Sequence, residues 1–327
     1  MKHDVEIRNK VSGDSIHHCG RIVLFGGSGF VGSNLRKWLG SELVVPSENE
    51  ADLTNYQSLC SVIQPSDIII NAAGYANATD TTERGRLLLQ AVNVDGVEKL
   101  ARAAVQQSAA QLIHISSVAA MGRQRRENVT EDMMLPVASP YAASKLAGEQ
   151  ALLSFADKLP ITVLRPTSVF GEGRGLARML CKVASKRIVL LPGGGTARIP
   201  FTYIGNIARC VELCINNETC FGRTFIVGDE GSYALRKIVT GLAAAIGARA
   251  QVVPVPTTLA WCGVKLLETA AKVRNRPPLL DSGRLETLST SVSYSISAFQ
   301  TATGYAPPYS MPDALELIAN WYLNESK

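Results

Sequence analysis

The fold is decided by Arg21-Ile22-Val23-Leu24-Phe25-Gly26-Gly27-Ser28-Gly29-Phe30-Val31-Gly32. An apolar run of strand length ends in glycines, the mark of a parallel strand buried on both faces. A helical pattern follows from Phe30 to about Leu39. Glycines at 26, 29 and 32 permit a tight turn and let backbone N–H groups approach a pyrophosphate at the helix N-terminus. The spacing is Gly-x-x-Gly-x-x-Gly, not the Gly-x-Gly-x-x-Gly of the common dinucleotide fingerprint.

Outward from that turn, short apolar runs predict strands at Leu43 to Val45, Ser66 to Ile70, Gln111 to Ile115 and Ile161 to Leu164. Between them, Leu88, Val92, Val97 and Leu100 recur at helical spacing from about Glu83 to Gln107, and Pro140 to about Ala156 is helical again. Strands alternating with helices predict an α/β fold with a doubly wound parallel sheet. After Gly171 the pattern loosens. Pro192 to Gly195 reads as a turn and Arg223 to Val227 as one more sheet strand. Helices are expected at about Tyr233 to Ile246, Thr257 to Val273 and Met311 to Leu323, separated by breaks at Pro254, Pro256, Pro277-Pro278 and Pro307-Pro308. The expected organisation is a flexible leader over 1–20 and a Rossmann-like dinucleotide domain over 21–170, with a returning strand near 223–227. A smaller, mainly helical substrate region over 171–327 completes it.

Composition narrows the function classes. With 327 residues, 46% hydrophobic and 19% charged, the chain can bury a large core. No apolar stretch approaches the ~18 residues of a membrane span, and Met1 to Gly20 lacks the apolar centre of a secretory signal. The net charge of +5 and pI near 8.8 are mild, and basic residues are scattered apart from Arg123, Arg125 and Arg126. A nucleic-acid partner is therefore not indicated, and that arginine run reads as a solvated loop. The seven cysteines, an odd number, suit a reducing compartment. Cys210, Cys214 and Cys220 cluster without a Cys-x-x-Cys pair or nearby histidine, so they read as core residues and no metal site is expected. His17-His18-Cys19 falls in the leader.

Tyr141 and Lys145 stand four residues apart on one helix face. A phenol near pKa ~10 is a poor acid or base at neutral pH. An ammonium about 4 Å away is worth roughly 4 kcal/mol at an effective dielectric of 20, or about three pKa units, enough to bring it into range. Ser117 follows a strand end, where open α/β sheets place their sites, and can hydrogen-bond both the reacting oxygen and the phenol.

In this order the motifs resemble an extended short-chain dehydrogenase/reductase of the NAD-dependent epimerase/dehydratase family, from about Arg21 to Trp321. The resemblance rests on Gly26/Gly29/Gly32, Asp52-Leu53, Asn71-Ala72-Ala73-Gly74, Asn93-Val94, Ser116-Ser117, Tyr141/Lys145, Arg165 to Gly171 and Gly304-Tyr305-Ala306-Pro307. It implies Ser117, Tyr141 and Lys145 as the catalytic set and NAD or NADP as cofactor. The cofactor would lie on Gly26, Ser28, Gly29, Phe30, Val31 and Gly32. Asp52 and Leu53 would contact the adenine, Ala72 and Ala73 would flank the pyrophosphate and ribose, and Asn93 would steady the fourth strand. Lys145 would also bond the nicotinamide ribose, beside which Pro166 to Ser168 would lie. Asp52 read alone is a helix N-cap.

Three departures qualify the resemblance. Glu48 and Glu50 are candidates for the acid that grips the adenine ribose, and no arginine stands there, which leans to NAD over NADP. Val118 and Ala119 replace the two acids that dehydratases carry after the serine, so dehydration is disfavoured. Met121 replaces a common tyrosine and is expected to leave that wall of the site apolar.

For the substrate, the resemblance points to Arg198 against a diphosphate, with Arg174 and Arg284 as further candidates. The reading is an NAD(P)-dependent oxidoreductase acting on a nucleotide sugar, UDP-linked as the resemblance implies, by 4-epimerisation or 4-keto reduction. A cytoplasmic homodimer is expected. The rivals are a hydroxysteroid- or flavonol-type dehydrogenase, suggested by Tyr203 to Ala208, and a non-catalytic cofactor-binding subunit.

Overall fold

Alternation along each strand sends successive side chains to opposite faces. In β1 (Ile22–Phe25), Ile22 and Leu24 enter one apolar cluster and Val23 and Phe25 the other. β2 (Ile68–Asn71), β3 (Gln111–Ile115) and β4 (Ile161–Pro166) divide the same way. Each fully buried Ile, Leu or Val contributes roughly 1.5–3 kcal/mol, so both faces must be covered. The structure is a computed structural model that describes residues 20–40, 43–76, 82–137, 139–173, 175–273 and 281–325. The leader to residue 19, Arg174 and the Pro277-Pro278 break lie outside the described residues.

Further along the chain come β5 (Ser168–Phe170), β6 (Ile188–Pro192), β7 (Arg198–Ile199), β8 (Phe201–Tyr203), β9 (Arg223–Val227), β10 (Tyr233–Ala234) and β11 (Gln251–Val255). The main sheet has the order β1-β2-β3-β4-β9, all parallel. Helices Tyr56–Val62 and Gly96–Gln106 cover one face. Phe30–Leu39, Ile204–Cys214, Leu235–Ala245 and Met311–Glu325 cover the other. The fold is a Rossmann-like parallel sheet with flanking helices and a mainly helical C-terminal region.

Several expectations change in detail. Leu43 to Val45 is not a full strand: Val44 alone bridges Val23, through Leu24 N to Val44 O and Val44 N to Ile22 O, both 2.9 Å. Tyr233 and Ala234 do not begin a helix but pair antiparallel with β7, and the helix starts at Leu235. The long helical segment is continuous to Gln106 but contains a π turn at Ala91–Asp95. The helix Ile204–Cys214 lies outside the expected elements: Asn206, Arg209 and Glu212 recur at helical spacing, but Tyr203 at its start offers no capping side chain to mark it. Pro254 masks β11, which pairs parallel with β6. Cys210, Cys214 and Cys220 are buried in the core.

Candidate active site

The glycine turn closes on itself. Gly26 has φ +80°, and a Cβ there would stand 2.5 Å from Ala73 Cα. A Cβ on Gly32 would lie 2.7 Å from the Gly26 carbonyl carbon. These two glycines let β1, the helix Phe30–Leu39 and the loop after β2 meet. Gly29 differs. Its backbone is extended, φ −72° and ψ 170°, and it caps the helix with no side-chain hydrogen bond and no acid in the first turn. The first N–H groups of a helix have no partner within it, and the dipole favours an anion. Phe30 and Val31 are half-buried behind it, as are Ala72 and Ala73.

The ribose candidates separate by their partners. Ser28 Oγ donates to Glu48 Oε1 at 3.2 Å, which places Glu48 beside the glycine turn. Glu50 instead accepts from Ser47 N and Oγ, both at 2.8 Å. Asp52 accepts from Thr54 N (2.8 Å) and Thr54 Oγ1 (2.7 Å) in a local turn, while Asn55 caps the next helix. Leu53 is buried.

Ser139 Oγ accepts from Ala142 N at 3.1 Å, and Pro140 occupies the first turn, so the helix Pro140–Leu153 starts just before Tyr141. Asn93, in the π turn, accepts from Tyr75 N (2.8 Å) and donates to Tyr75 O and Ser144 Oγ, both 3.0 Å. It thus ties the loop after β2 to the helix Pro140–Leu153 and does not steady the strand Gln111–Ile115. A π turn at such a point is a recurrent feature of functional sites.

Ser117 follows β3 and caps a short turn, accepting from Ala119 N at 3.1 Å. Burial raises the Tyr141 phenol above its ordinary value, and its hydrogen bond with Ser117 draws it partly back. Lys145 is buried (6% exposed), and its Nζ donates to Ile115 O at 3.0 Å. Desolvation lowers its ammonium to about 8, opposed by Glu149. The structure therefore corrects the expected lowering of Tyr141 by Lys145: the ammonium is drawn toward the Ile115 carbonyl, and desolvation of the phenol prevails. Beneath them, His114 Nδ1 lies 3.1 Å from Asn71 Nδ2, and burial, then Lys145, holds the ring neutral.

A cavity of about 790 Å³ lies against Ser117, Ser139, Thr167 and Ser168, within the size range of small-molecule sites. Pro166 ends β4 beside it. Val118, Ala119, Ile199, Pro200 and Val292 supply apolar wall. Met121 does not: it is fully buried in the core. Arg198 also takes another course, with Nε donating to Ser232 Oγ at 3.2 Å and Nη2 to Ser232 O. Arg284 pairs with Asp281 at 3.5 Å. Arg123 and Arg125 do line the cavity, both paired with Glu286 on the helix Ser282–Ser289. Both arginines are exposed, as expected of a solvated loop, and they also border the cavity. Their partner is more than 160 positions away, so only their clustering signalled them.

Comparison with known proteins gives the chain its family. A UDP-glucose 4-epimerase of Vibrio cholerae is 26% identical over 325 residues, covering 92% of this chain and 95% of the relative. A dTDP-4-dehydrorhamnose reductase of Aggregatibacter actinomycetemcomitans is 30% identical over 215 residues, covering 64% and 71%. Among solved structures, the UDP-glucuronic acid 4-epimerase of Bacillus cereus in complex with NAD shares the fold at TM-score 0.69 and 19% identity, covering 94% of this chain and 99% of that one. No described helix is long and apolar enough to cross a membrane. The model of the NAD dependent epimerase/dehydratase family matches residues 22–228, a span that holds the glycine turn, Ser117, Tyr141 and Lys145. The chain belongs to that family, whose members are NAD(P)-dependent oxidoreductases and epimerases built on this Rossmann-like fold.

Proposed function

We propose that the protein is an NAD-dependent enzyme acting at carbon 4 of a nucleotide sugar, with UDP-sugar 4-epimerisation as the favoured reaction. The observation that carries this reading is the cavity itself, which joins the Ser117 hydroxyl to two guanidiniums on a common carboxylate. Two cations on one anion leave a surplus positive charge, which suits a diphosphate. The epimerase relative covers almost the whole chain, which supports the choice of reaction.

The residues present fit the dinucleotide. Gly29 leaves the helix N-terminus open, and Glu48 puts a carboxylate beside it, which suits a ribose diol and repels a 2′-phosphate. When bound, the nicotinamide supplies the acceptor and donor of hydride. Ser117 would hold the sugar oxygen, and Tyr141 would carry its proton. Lys145 gives one donor to Ile115 O, and an ammonium has three, so two remain for a ribose hydroxyl. Among the described residues lining the cavity the one carboxylate is Glu286, held by both arginines. No free acid stands ready to remove an α-proton, which speaks against dehydration.

A specific observation favours 4-keto reduction as the second reading: the dTDP-4-dehydrorhamnose reductase is 30% identical over 215 residues, more than the epimerase relative over its longer match. Incubation with UDP-glucose, UDP-galactose and their N-acetyl forms without reductant separates the two. Interconversion supports epimerisation, whereas stoichiometric loss of NADH on a keto-sugar supports reduction. Stabilisation by a steroid and not by UDP would move the enzyme to the hydroxysteroid-type branch.

A further inference from the structure

Below the catalytic set lies a buried ion pair that neither binding nor proton transfer at the site uses directly. Glu149 is 1% exposed and Arg165 7%. Arg165 Nη2 donates to Glu149 Oε2 at 2.7 Å, and its Nε reaches Oε1 and Oε2 at 3.1 and 3.2 Å. Ser116 Oγ also donates to Glu149 Oε1. Arg165 extends further to Glu131 O at 3.5 Å.

The neighbours of this pair are the catalytic residues. Glu149 lies one turn after Lys145 on the same helix, and Ser116 precedes Ser117. The chain Ile115-Ser116-Ser117 is pinned at three points. Lys145 Nζ holds Ile115 O, Ser116 N donates to Leu164 O at 2.7 Å, and Glu149 holds the Ser116 hydroxyl. A buried pair of this kind is weak evidence for stability, since an apolar replacement often does as well. Its place here has another consequence.

We propose that Glu149 and Arg165 act as a positioning pair, fixing the charge of Lys145 and the seat of Ser117 without touching substrate or cofactor. The proposal deepens the reading of Ser117, Tyr141 and Lys145 as catalytic residues and rests on it. Lys145 faces Glu149 and Tyr141 on its own helix, neutral His114 on β3, and Arg165 on β4 behind the carboxylate. Removing the Glu149 charge leaves two buried cations together, so the ammonium should release its proton more readily. Removing the Arg165 charge leaves Lys145 with an undivided carboxylate, so it should hold its proton more tightly. A merely structural pair predicts no such opposition of sign.

The test is the pH titration of Lys145 in the full chain labelled with 13Cε-lysine, its resonance assigned by Lys145→Arg. Glu149→Gln should shift the midpoint down by one unit or more, a tenfold loss of proton affinity. Glu149→Asp, which keeps the charge, should leave it close to wild type. Arg165→Gln should shift it upward, and the double variant should return it toward the wild-type value. Equal midpoints in all variants, or shifts of one sign in both single variants, would overturn the proposal. Should neither single variant fold, the double variant should fold, because it leaves neither Glu149 nor Arg165 buried without its partner; its failure would also overturn the pairing. NADH titrations run in parallel keep the two readings apart. Failure of wild type to bind NADH removes the proposed function, whatever Lys145 does in the titration.

Discussion

The glycine turn allows stability and cofactor binding to be separated by one pair of substitutions. In Gly32→Ala the new methyl would stand 2.7 Å from the Gly26 carbonyl carbon and 2.9 Å from Gly27 Cα, all of it backbone. Backbone cannot rotate aside, so the helix start must move by about 1 Å, at the ~1–3 kcal/mol typical of overpacking. For a chain of this size that lowers the melting temperature by several degrees, at roughly 2–4 °C per kcal/mol. Gly29→Val meets only Gly26 O, at 3.3 Å, in a backbone conformation open to any residue. Its melting temperature should stay within a degree or two of wild type, helped by the reduced freedom of the unfolded chain.

The branched side chain at 29 would nevertheless stand over the exposed N–H groups. Hydrogen bonds to a charged group are worth about 1.5–3 kcal/mol each, so losing one or two weakens NADH by at least tenfold. Fluorescence titration with NADH and a thermal melt on each variant make the comparison. Wild-type affinity in Gly29→Val would refute anion binding at this turn. Equal destabilisation by both substitutions would show that Gly29 is a packing residue like Gly32.

Tyr141→Phe should abolish turnover while fold and NADH affinity stay near wild type; retained activity would remove the proton carrier. Ser117→Ala removes the one bond that lowers the phenol, so the basic limb of the pH–rate profile should move upward, and an unmoved profile would dissociate the two hydroxyls. Arg123→Gln with Arg125→Gln should weaken UDP at least tenfold in calorimetry and leave NADH unchanged; unaltered UDP binding would return the diphosphate to Arg198. Burial raises the Asp229 carboxyl to about 7, against an unfolded value near 3.9. The folded state therefore keeps its proton longer, and the stability this gives is complete below about pH 4 and lost as pH rises toward 7. Asp229→Asn should gain on wild type across that window, by up to about 4 kcal/mol, and parallel pH dependences in denaturant would refute it.

The elements that could be read from the chain are those whose signal is local. β1 and its glycines, β2 to β4 and the start of the helix Pro140–Leu153 all carry their own periodicity or cap. The Ile204–Cys214 helix carries Asn206, Arg209 and Glu212 at helical spacing but no capping side chain at Tyr203, so its start is unmarked. β11 is hidden by its proline, tolerated because the pair β6–β11 is an isolated two-stranded edge. At the site, Ser117, Tyr141 and Lys145 stand in one short stretch of chain. Glu286 does not: its meeting with Arg123 and Arg125 depends on the fold of the C-terminal region. Arg165 was visible within its motif, but its partner Glu149 is joined to it only by the packing of a helix on β4.

The discrepancy at Tyr141 teaches more than the agreements. Spacing of four residues brings two Cβ atoms onto neighbouring turns, but a lysine head lies at the end of four further carbons. In this protein the stem carries Nζ to Ile115 O, so the charge supports the strand end more than the phenol. The ammonium is itself partly discharged by burial, down to about 8, which weakens any help it could give. Among the described residues, the Ser117 hydroxyl is the group that lowers the phenol. Tyr141 thus stands ready as a proton donor, and its use as a base depends on positive charge brought near it. Glu149 and Arg165 bear on that balance because they set how much of the Lys145 charge survives.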